Sequence, residues 1–288
     1  MVGPGLALDA RFVLVKNVSR GSYGVVWSAR DLITNQVVAI KLVPKFQESE
    51  KDETFVTEVE SLQALRGVVG VPEFISSGSI GQHNYFATQV FDFDLEDIRF
   101  KHRGYKFRLT SILQTVYHVV KIIEIVHSRG IVHRDVKLNN IMRYNLVLID
   151  FGLAAKFRDP TTGNRIPVPH AGLDFLSVPY SPPRAAAGSE YLETEDLVSA
   201  AIVAVYMAFE SPSSVPWYAQ NALAMQRKKL HFGKYPEIYL PNHRCVAPVI
   251  KIINSQEYGA TPDYQSILTF IQHTLGEMNC STELNLHL

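Results

Sequence analysis

The segment His133-Arg134-Asp135-Val136-Lys137-Leu138-Asn139-Asn140, followed by the apolar run Leu146-Val147-Leu148-Ile149 and then Asp150-Phe151-Gly152, constrains this chain more than any other part of it. It reads as an eight-residue polar loop, a short strand and an acidic turn. Taken alone, His-Arg-Asp would be a solvated loop and Asp-Phe-Gly a turn. The order and spacing of the three pieces argue against both bland readings. Together they supply a potential base at Asp135, a cation at Lys137, and oxygen donors suited to a hard metal ion at Asn140 and Asp150.

Such a set suits phosphoryl transfer from ATP. That reaction asks for little covalent chemistry from the protein; it needs acceptor and phosphate held in line and the spreading negative charge neutralised. Asp135 would orient a substrate hydroxyl and accept its proton, and Lys137 would contact the γ-phosphate. Asn140 and Asp150 would hold magnesium. His133-Arg134-Asp135, Asn140 and Asp150-Phe151-Gly152 resemble the catalytic loop and magnesium-binding segment of protein kinases. Lys137, two residues after Asp135, resembles the Ser/Thr type and not the tyrosine type.

Length and composition set bounds. A chain of 288 residues exceeds what one simple core organises, so two packed lobes are expected. Hydrophobic residues make up 47%, which argues against widespread disorder. Lys plus Arg and Asp plus Glu each number 28, so net charge indicates no bulk nucleic-acid or membrane attraction. Two cysteines, Cys245 and Cys280, make no disulfide framework and fit a reducing compartment. The start Met1-Val2-Gly3-Pro4-Gly5 has no signal-peptide pattern. Ile112–Val126 is interrupted by Gln114, His118, Lys121 and Glu124, and Leu197–Phe209 falls short of the ~20 residues of a spanning helix. Both read as core helices, so the expected protein is intracellular, cytoplasmic or nuclear, without a transmembrane segment.

Upstream, Phe12–Val18 reads as a strand leading into Ser19-Arg20-Gly21-Ser22-Tyr23-Gly24-Val25-Val26-Trp27. Glycines in such a loop let the backbone bend tightly and bring N–H groups to phosphate oxygens, although Gly21-x-x-Gly24 also suits a plain hairpin. Ser19 stands at the first of the three usual glycine positions. Lys41 ends the β-branched run Val37-Val38-Ala39-Ile40, where a buried ammonium needs anionic partners. The next helix is expected over Glu53–Leu65, with Phe55, Val59, Leu62 and Leu65 on its buried side. Glu58 flanks that stripe and is the expected partner of Lys41, whereas Glu60 should face water. Tyr85–Phe91 would lead into a hinge at about 88–92, with Thr88 behind the adenine. Asp92–Ile98 opens a helical lobe, its acidic residues favourable to the helix dipole.

Further segments narrow the resemblance to the casein kinase 1 group: Arg66–Pro72, Asp94–Ile98, His127–Asp135, Lys156–Asp159 with Ile166-Pro167, Glu195–Ser199, Val215-Pro216-Trp217 and Thr261-Pro262-Asp263-Tyr264. The likeness runs from about Phe12 to Leu275. It implies an α+β bilobal kinase fold: an N-terminal lobe over 1–91, with a five-stranded antiparallel sheet and one main helix, and a mainly helical lobe over 92–288. It implies ATP and magnesium in the interlobe cleft, with Val18, Ser19, Arg20, Gly21, Ser22, Tyr23, Gly24, Val26, Ala39, Lys41, Thr88, Gln89 and Phe91 around the nucleotide. Catalysis falls to Asp135, Lys137, Lys41 and Glu58, and metal binding to Asn140 and Asp150. Asp196 becomes a buried anchor of the catalytic-loop backbone, although an ordinary helix cap is also open, and Arg134 becomes a structural residue.

The implied function is a non-specific Ser/Thr protein kinase, monomeric and constitutively active, with protein substrates. A pseudokinase scaffold and a small-molecule phosphotransferase are the alternatives. Two departures stand out. Tyr180-Ser181-Pro182-Pro183-Arg184 stands where most kinases have Ala-Pro-Glu and the casein kinase 1 group an Ala-Ser-Ile-Asn-type variant, so the glutamate that would pair with a distant arginine is missing, as it is in that group. Pro179 stands where the group carries an arginine that helps hold phosphate on primed substrates; Arg184 or Arg227 could substitute, or could be solvated surface charges.

Overall fold

The structure is a computed structural model that describes residues 2–21, 24–45, 50–101, 107–168, 179–241, 243–284 and 286. The chain divides into two compact units, one of residues 1–92 with 149–154, the other of 93–148 with 155–288.

The first unit is built on an antiparallel sheet. Its strands are β1 (Ala7–Leu8), β2 (Phe12–Gly21), β3 (Gly24–Asp31), β4 (Val37–Pro44), β5 (Phe74–Ile80) and β6 (His83–Gln89), in the order β1-β2-β3-β4-β6-β5. Five strands match the expectation; β1 is an added two-residue edge, too short to show any alternation in sequence. Side chains alternate across a strand, so register sorts them onto two faces. Trp27, Ala29, Val38, Ile40, Leu42, Tyr85 and Ala87 form one face with Leu8, Phe12 and Leu14, a buried apolar cluster. The other face carries Val26, Ala39, Lys41, Phe86 and Thr88, for Val26 pairs with Lys41, Lys41 with Phe86, and Ala39 with Thr88. Helix α1 (Glu50–Ala64) starts three residues before the expected helix, and Phe55 sets its ring 6.1 Å from Phe86. It therefore covers the face that bears Lys41.

In the second unit, α2 (Leu95–Lys101) is capped by Asp94, whose carboxylate accepts the Asp97 N–H at 2.6 Å. The central helices are α3 (Leu109–Ser128) and α5 (Glu193–Ala208), which pack on each other. By length and composition α3 could cross a membrane, but 61% of its apolar window is buried inside the protein. Helix α5 is apolar nearly all round, as an enclosed helix must be, and buries even Glu193, Glu195 and Asp196. Around them lie α4 (Pro183–Ala186), α6 (Ala222–Lys234), α7 (Pro236–Tyr239), α8 (Val246–Asn254) and α9 (Tyr264–Glu277). Two small hairpin-like pairs complete the unit: β7 (Ile131–Val132) with β10 (Ala155–Lys156), and β8 (Ile141–Met142) with β9 (Val147–Leu148). A tight turn at Tyr144-Asn145 joins β8 to β9, with Asn145 and Leu146 at positive φ.

Candidate active site

In the first unit the sheet and helix bring three charges together. Lys41 Nζ donates to Glu58 Oε2 at 2.6 Å and to Asp150 Oδ1 at 2.9 Å. Strand β4 presents the lysine, α1 presents Glu58, and Asp150 lies near the start of the segment 149–154, with left-handed backbone (φ 65°). Glu58, not Glu60, is the inward residue: Glu58 is buried and Glu60 exposed. Burial opposes the ammonium of Lys41, but the Asp150 and Glu58 carboxylates outweigh it and raise its pKa above the ordinary lysine value. Burial pushes the Glu58 carboxyl up to about 7, against the pull of Lys41. Asp150 keeps a third of its side chain open, with side-chain exposure of 34%.

Of the other residues expected around the nucleotide, Val18, Ser19, Arg20, Gly21, Gly24, Val26, Ala39, Thr88 and Gln89 lie in the same sheet, and Phe91 follows its last strand. Ser19 pairs with Val26 and Arg20 with Val25, while Val18 sits in a β-bulge between Asn17 and Ser19. Gly21 pairs with Gly24 across the tip. Ser22 and Tyr23 lie outside the described residues. Gly24 has φ 154°, and a Cβ there would sit 2.5 Å from the Leu42 carbonyl oxygen; at Gly21 it would meet nothing within 4 Å. So Gly24 is required by the strand behind it, whereas Gly21 is open. Ala39 is half-buried, Thr88 buried, Gln89 exposed and Phe91 half-buried.

In the second unit the loop after β7 holds Asp135, whose side chain is nearly buried. Lys137 Nζ donates to Asp135 Oδ2 at 2.6 Å, and Asn140 Nδ2 donates to Asp135 Oδ2 and to its backbone oxygen, each at 2.9 Å. Lys137, expected on the γ-phosphate, therefore rests on the base in this structure. Asn140 closes a short 3-10 turn, Leu138–Asn140.

Asp196 secures this loop from α5. Its carboxylate accepts the backbone N–H groups of His133 at 2.7 Å and Arg134 at 2.9 Å. It lies inside the helix, whose N-cap is Leu192, so the anchoring role holds and the helix-cap alternative does not. Burial would raise its pKa, but hydrogen bonding and charge from His127 and the His133 amide bring it below the ordinary carboxylate value. Tyr191 donates to the same carboxylate at 2.8 Å. His127 Nε2 lies 2.9 Å from it, and Nδ1 lies 2.6 Å from the Tyr264 hydroxyl. A carboxylate only accepts, so Nε2 carries the proton. Arg134 has φ 70° and places its guanidinium 5.7 Å from the Tyr191 ring centre, a structural position.

The supports His127, Tyr191 and Tyr264 were not legible as such. A histidine ending an apolar helix reads as core, and only the sequence motif Thr261-Pro262-Asp263-Tyr264 hinted at a role. Asp263 caps α9, its carboxylate accepting the Ser266 N–H at 2.9 Å, and so aims Tyr264 at His127.

Of the segments expected to vary, Pro179 is exposed, Arg227 is exposed, and exposed Arg184 lies over the Tyr258 ring at 5.0 Å. Among the described residues no group of three or more His, Cys, Asp or Glu side chains could hold a metal alone.

Comparison with known proteins agrees with this arrangement. The family model described as Protein kinase domain matches residues 12–268. Casein kinase I homolog 2 of Schizosaccharomyces pombe is 25% identical over 263 residues, covering 86% of this chain and 59% of that protein. Casein kinase I homolog 1 of the same yeast is 23% identical over 299 aligned positions, covering 99% of this chain and 66% of that protein. The chain thus spans roughly three fifths to two thirds of the length of these relatives. With the family pattern matched over most of its length and both residue sets in place, the chain belongs to the protein kinase family and is casein kinase 1-like within it.

Proposed function

We propose that this chain is an ATP-dependent Ser/Thr protein kinase that transfers the γ-phosphate to hydroxyls of protein substrates and acts without activating phosphorylation. The observation that carries this reading is that Lys41 is already paired with Glu58 and Asp150, while Asp135 is already oriented by Lys137 and Asn140. Lys41, kept charged by its carboxylates, neutralises nucleotide phosphate. Asp135 accepts a hydrogen bond from the acceptor hydroxyl and takes its proton. Lys137 moves from Asp135 to the transferring phosphate.

The donor set suits magnesium: Asp150 offers a part-exposed carboxylate and Asn140 an amide oxygen, both hard ligands. Bound there, the metal would neutralise charge developing on the phosphate oxygens. Constitutive activity is supported at Thr161 and Thr162, whose N–H groups are both held by Asp159 Oδ1 at 2.8 Å, so that a carboxylate of the chain itself closes this turn.

The test is transfer of labelled γ-phosphate to casein and to a basic protein, with Asp135→Asn alongside. Labelled serine or threonine falling ~10²–10⁴-fold in the variant is expected for loss of a positioned base. Measurable ATP binding with no labelling of any protein would replace this reading with a binding scaffold; labelling confined to a small alcohol would replace it with a small-molecule phosphotransferase.

A further inference from the structure

A buried lysine lies in the second unit, outside the residues assigned above. Lys229, on α6, is 3% exposed, and its Nζ donates to the backbone oxygen of Ser181 at 2.8 Å. Beside it is a cavity of about 10 Å³, lined among others by Pro183, Val198, Trp217, Phe232 and Asn254. An ammonium in such apolar surroundings is costly, and burial draws its pKa down to about 7. A leucine or methionine would fill this place at lower cost, so the charge points to a task.

The task is visible in what Ser181 belongs to. Pro182 and Pro183 have no N–H, which deprives this stretch of two donors with which to fasten itself. Side chains from two helices fasten it instead. Ser199 Oγ, on α5, donates to the Tyr180 oxygen at 3.3 Å, and Lys229 holds the next carbonyl. The Tyr180 ring packs at a tilt of 38° against Tyr206 of α5, centroids 4.5 Å apart. Ser199 lies three residues after Asp196, one turn along the helix, and Asp196 is the residue that holds His133 and Arg134. One helix therefore fixes both the loop bearing Asp135 and the Tyr180–Ser181 backbone. Exposed Pro179 and part-exposed Tyr180 are the surface of that backbone.

We propose that Lys229 is a positioning residue for the acceptor protein. By holding the Ser181 carbonyl it keeps Pro179–Pro183 in fixed register with Asp135, replacing the anchor lost with the missing Ala-Pro-Glu glutamate. This rests on the kinase reading and adds to it the element that aligns the acceptor chain. Lys229 touches neither nucleotide nor reacting atoms.

The experiment measures KM for a peptide acceptor and for ATP, and kcat, in wild type, Lys229→Met and Lys229→Arg. The expected result for Lys229→Met is an acceptor KM raised about tenfold, with ATP KM and kcat within about twofold, and recovery in Lys229→Arg. Equal changes in both KM values, or an unchanged acceptor KM, would overturn the proposal. Hydrogen exchange gives a readout independent of turnover. Amides of 184–188 should exchange faster in Lys229→Met while those of 133–140 do not; unchanged exchange also overturns it. If Lys229→Met fails to fold, Lys229→Gln, whose polar end stops one bond short of the Ser181 carbonyl, takes its place in both measurements. A wild type that labels no protein would defeat the kinase reading itself, and exchange would still decide whether Lys229 holds this segment.

Discussion

Lys41 and Glu58 pull stability and activity in opposite directions as pH changes. Glu58 is an acid whose folded pKa is raised to about 7 by burial, so its contribution to folding is full below the ordinary carboxylate range and is lost as pH rises through about 7. The charged pair with Lys41 needs the ionised form, so phosphoryl transfer should climb over that same interval. Glu58→Gln should lower kcat/KM about 10²-fold and abolish this acid limb; a pH–rate profile from 5.5 to 8.5 checks both, and an unchanged limb in the variant would reject Glu58 as its source. Asp196 behaves with the opposite sign: its lowered pKa gives stability present above the ordinary carboxylate value and lost as pH falls. Asp196→Ala strands the buried His133 N–H, the part-buried Arg134 N–H and a buried histidine, and should cost about 3–5 kcal/mol in denaturant unfolding. Asp135 and Asp150 were legible because charged residues in fixed order are hard to explain otherwise. Asp196 was legible only through resemblance, for nothing local shows that a carboxylate inside an apolar helix will meet a backbone 62 residues away.

Among the elements, the β2–β3 hairpin separates folding from chemistry within a single motif. Gly24 backs onto the Leu42 carbonyl and has positive φ, whereas Gly21 faces open space. Gly24→Ala should therefore destabilise the first unit by about 1–3 kcal/mol, through strain and a forced shift of β3 from β4. Gly21→Ala should leave the melting temperature nearly unchanged and raise KM for ATP. Thermal melts set beside nucleotide titrations decide it, and equal melting losses in both variants would contradict the steric argument. Strands with clear alternation, β3 and β4 above all, could be read from sequence, as could the stripe of α1. The two-residue strands could not, since no periodicity exists over two positions. Helix α5 begins four residues earlier than its apolar run because Glu193, Thr194, Glu195 and Asp196 are buried polar residues, and composition alone assigns such residues to water.

For the molecule as a whole, the expected independence from activating phosphate can be measured directly. Protein with Thr161→Ala and Thr162→Ala together should keep transfer activity within about twofold, since Asp159 holds this turn through the backbone N–H groups of both residues, which the substitutions leave in place. A loss of tenfold or more in labelling of casein would overturn constitutive activity. The α+β class was legible through the kinase resemblance, with Asp92–Ile98 read as the opening of the helical lobe. The return of 149–154 to the first unit was not, because sequence order says nothing about which body a six-residue stretch joins. That return bears on biosynthesis. While the chain emerges from the ribosome, the first ninety-odd residues can form their sheet and helix, but the carboxylate at 150 arrives only after the intervening stretch has been translated. Until then Lys41 has one of its two acidic partners, and its ammonium is balanced by Glu58 alone.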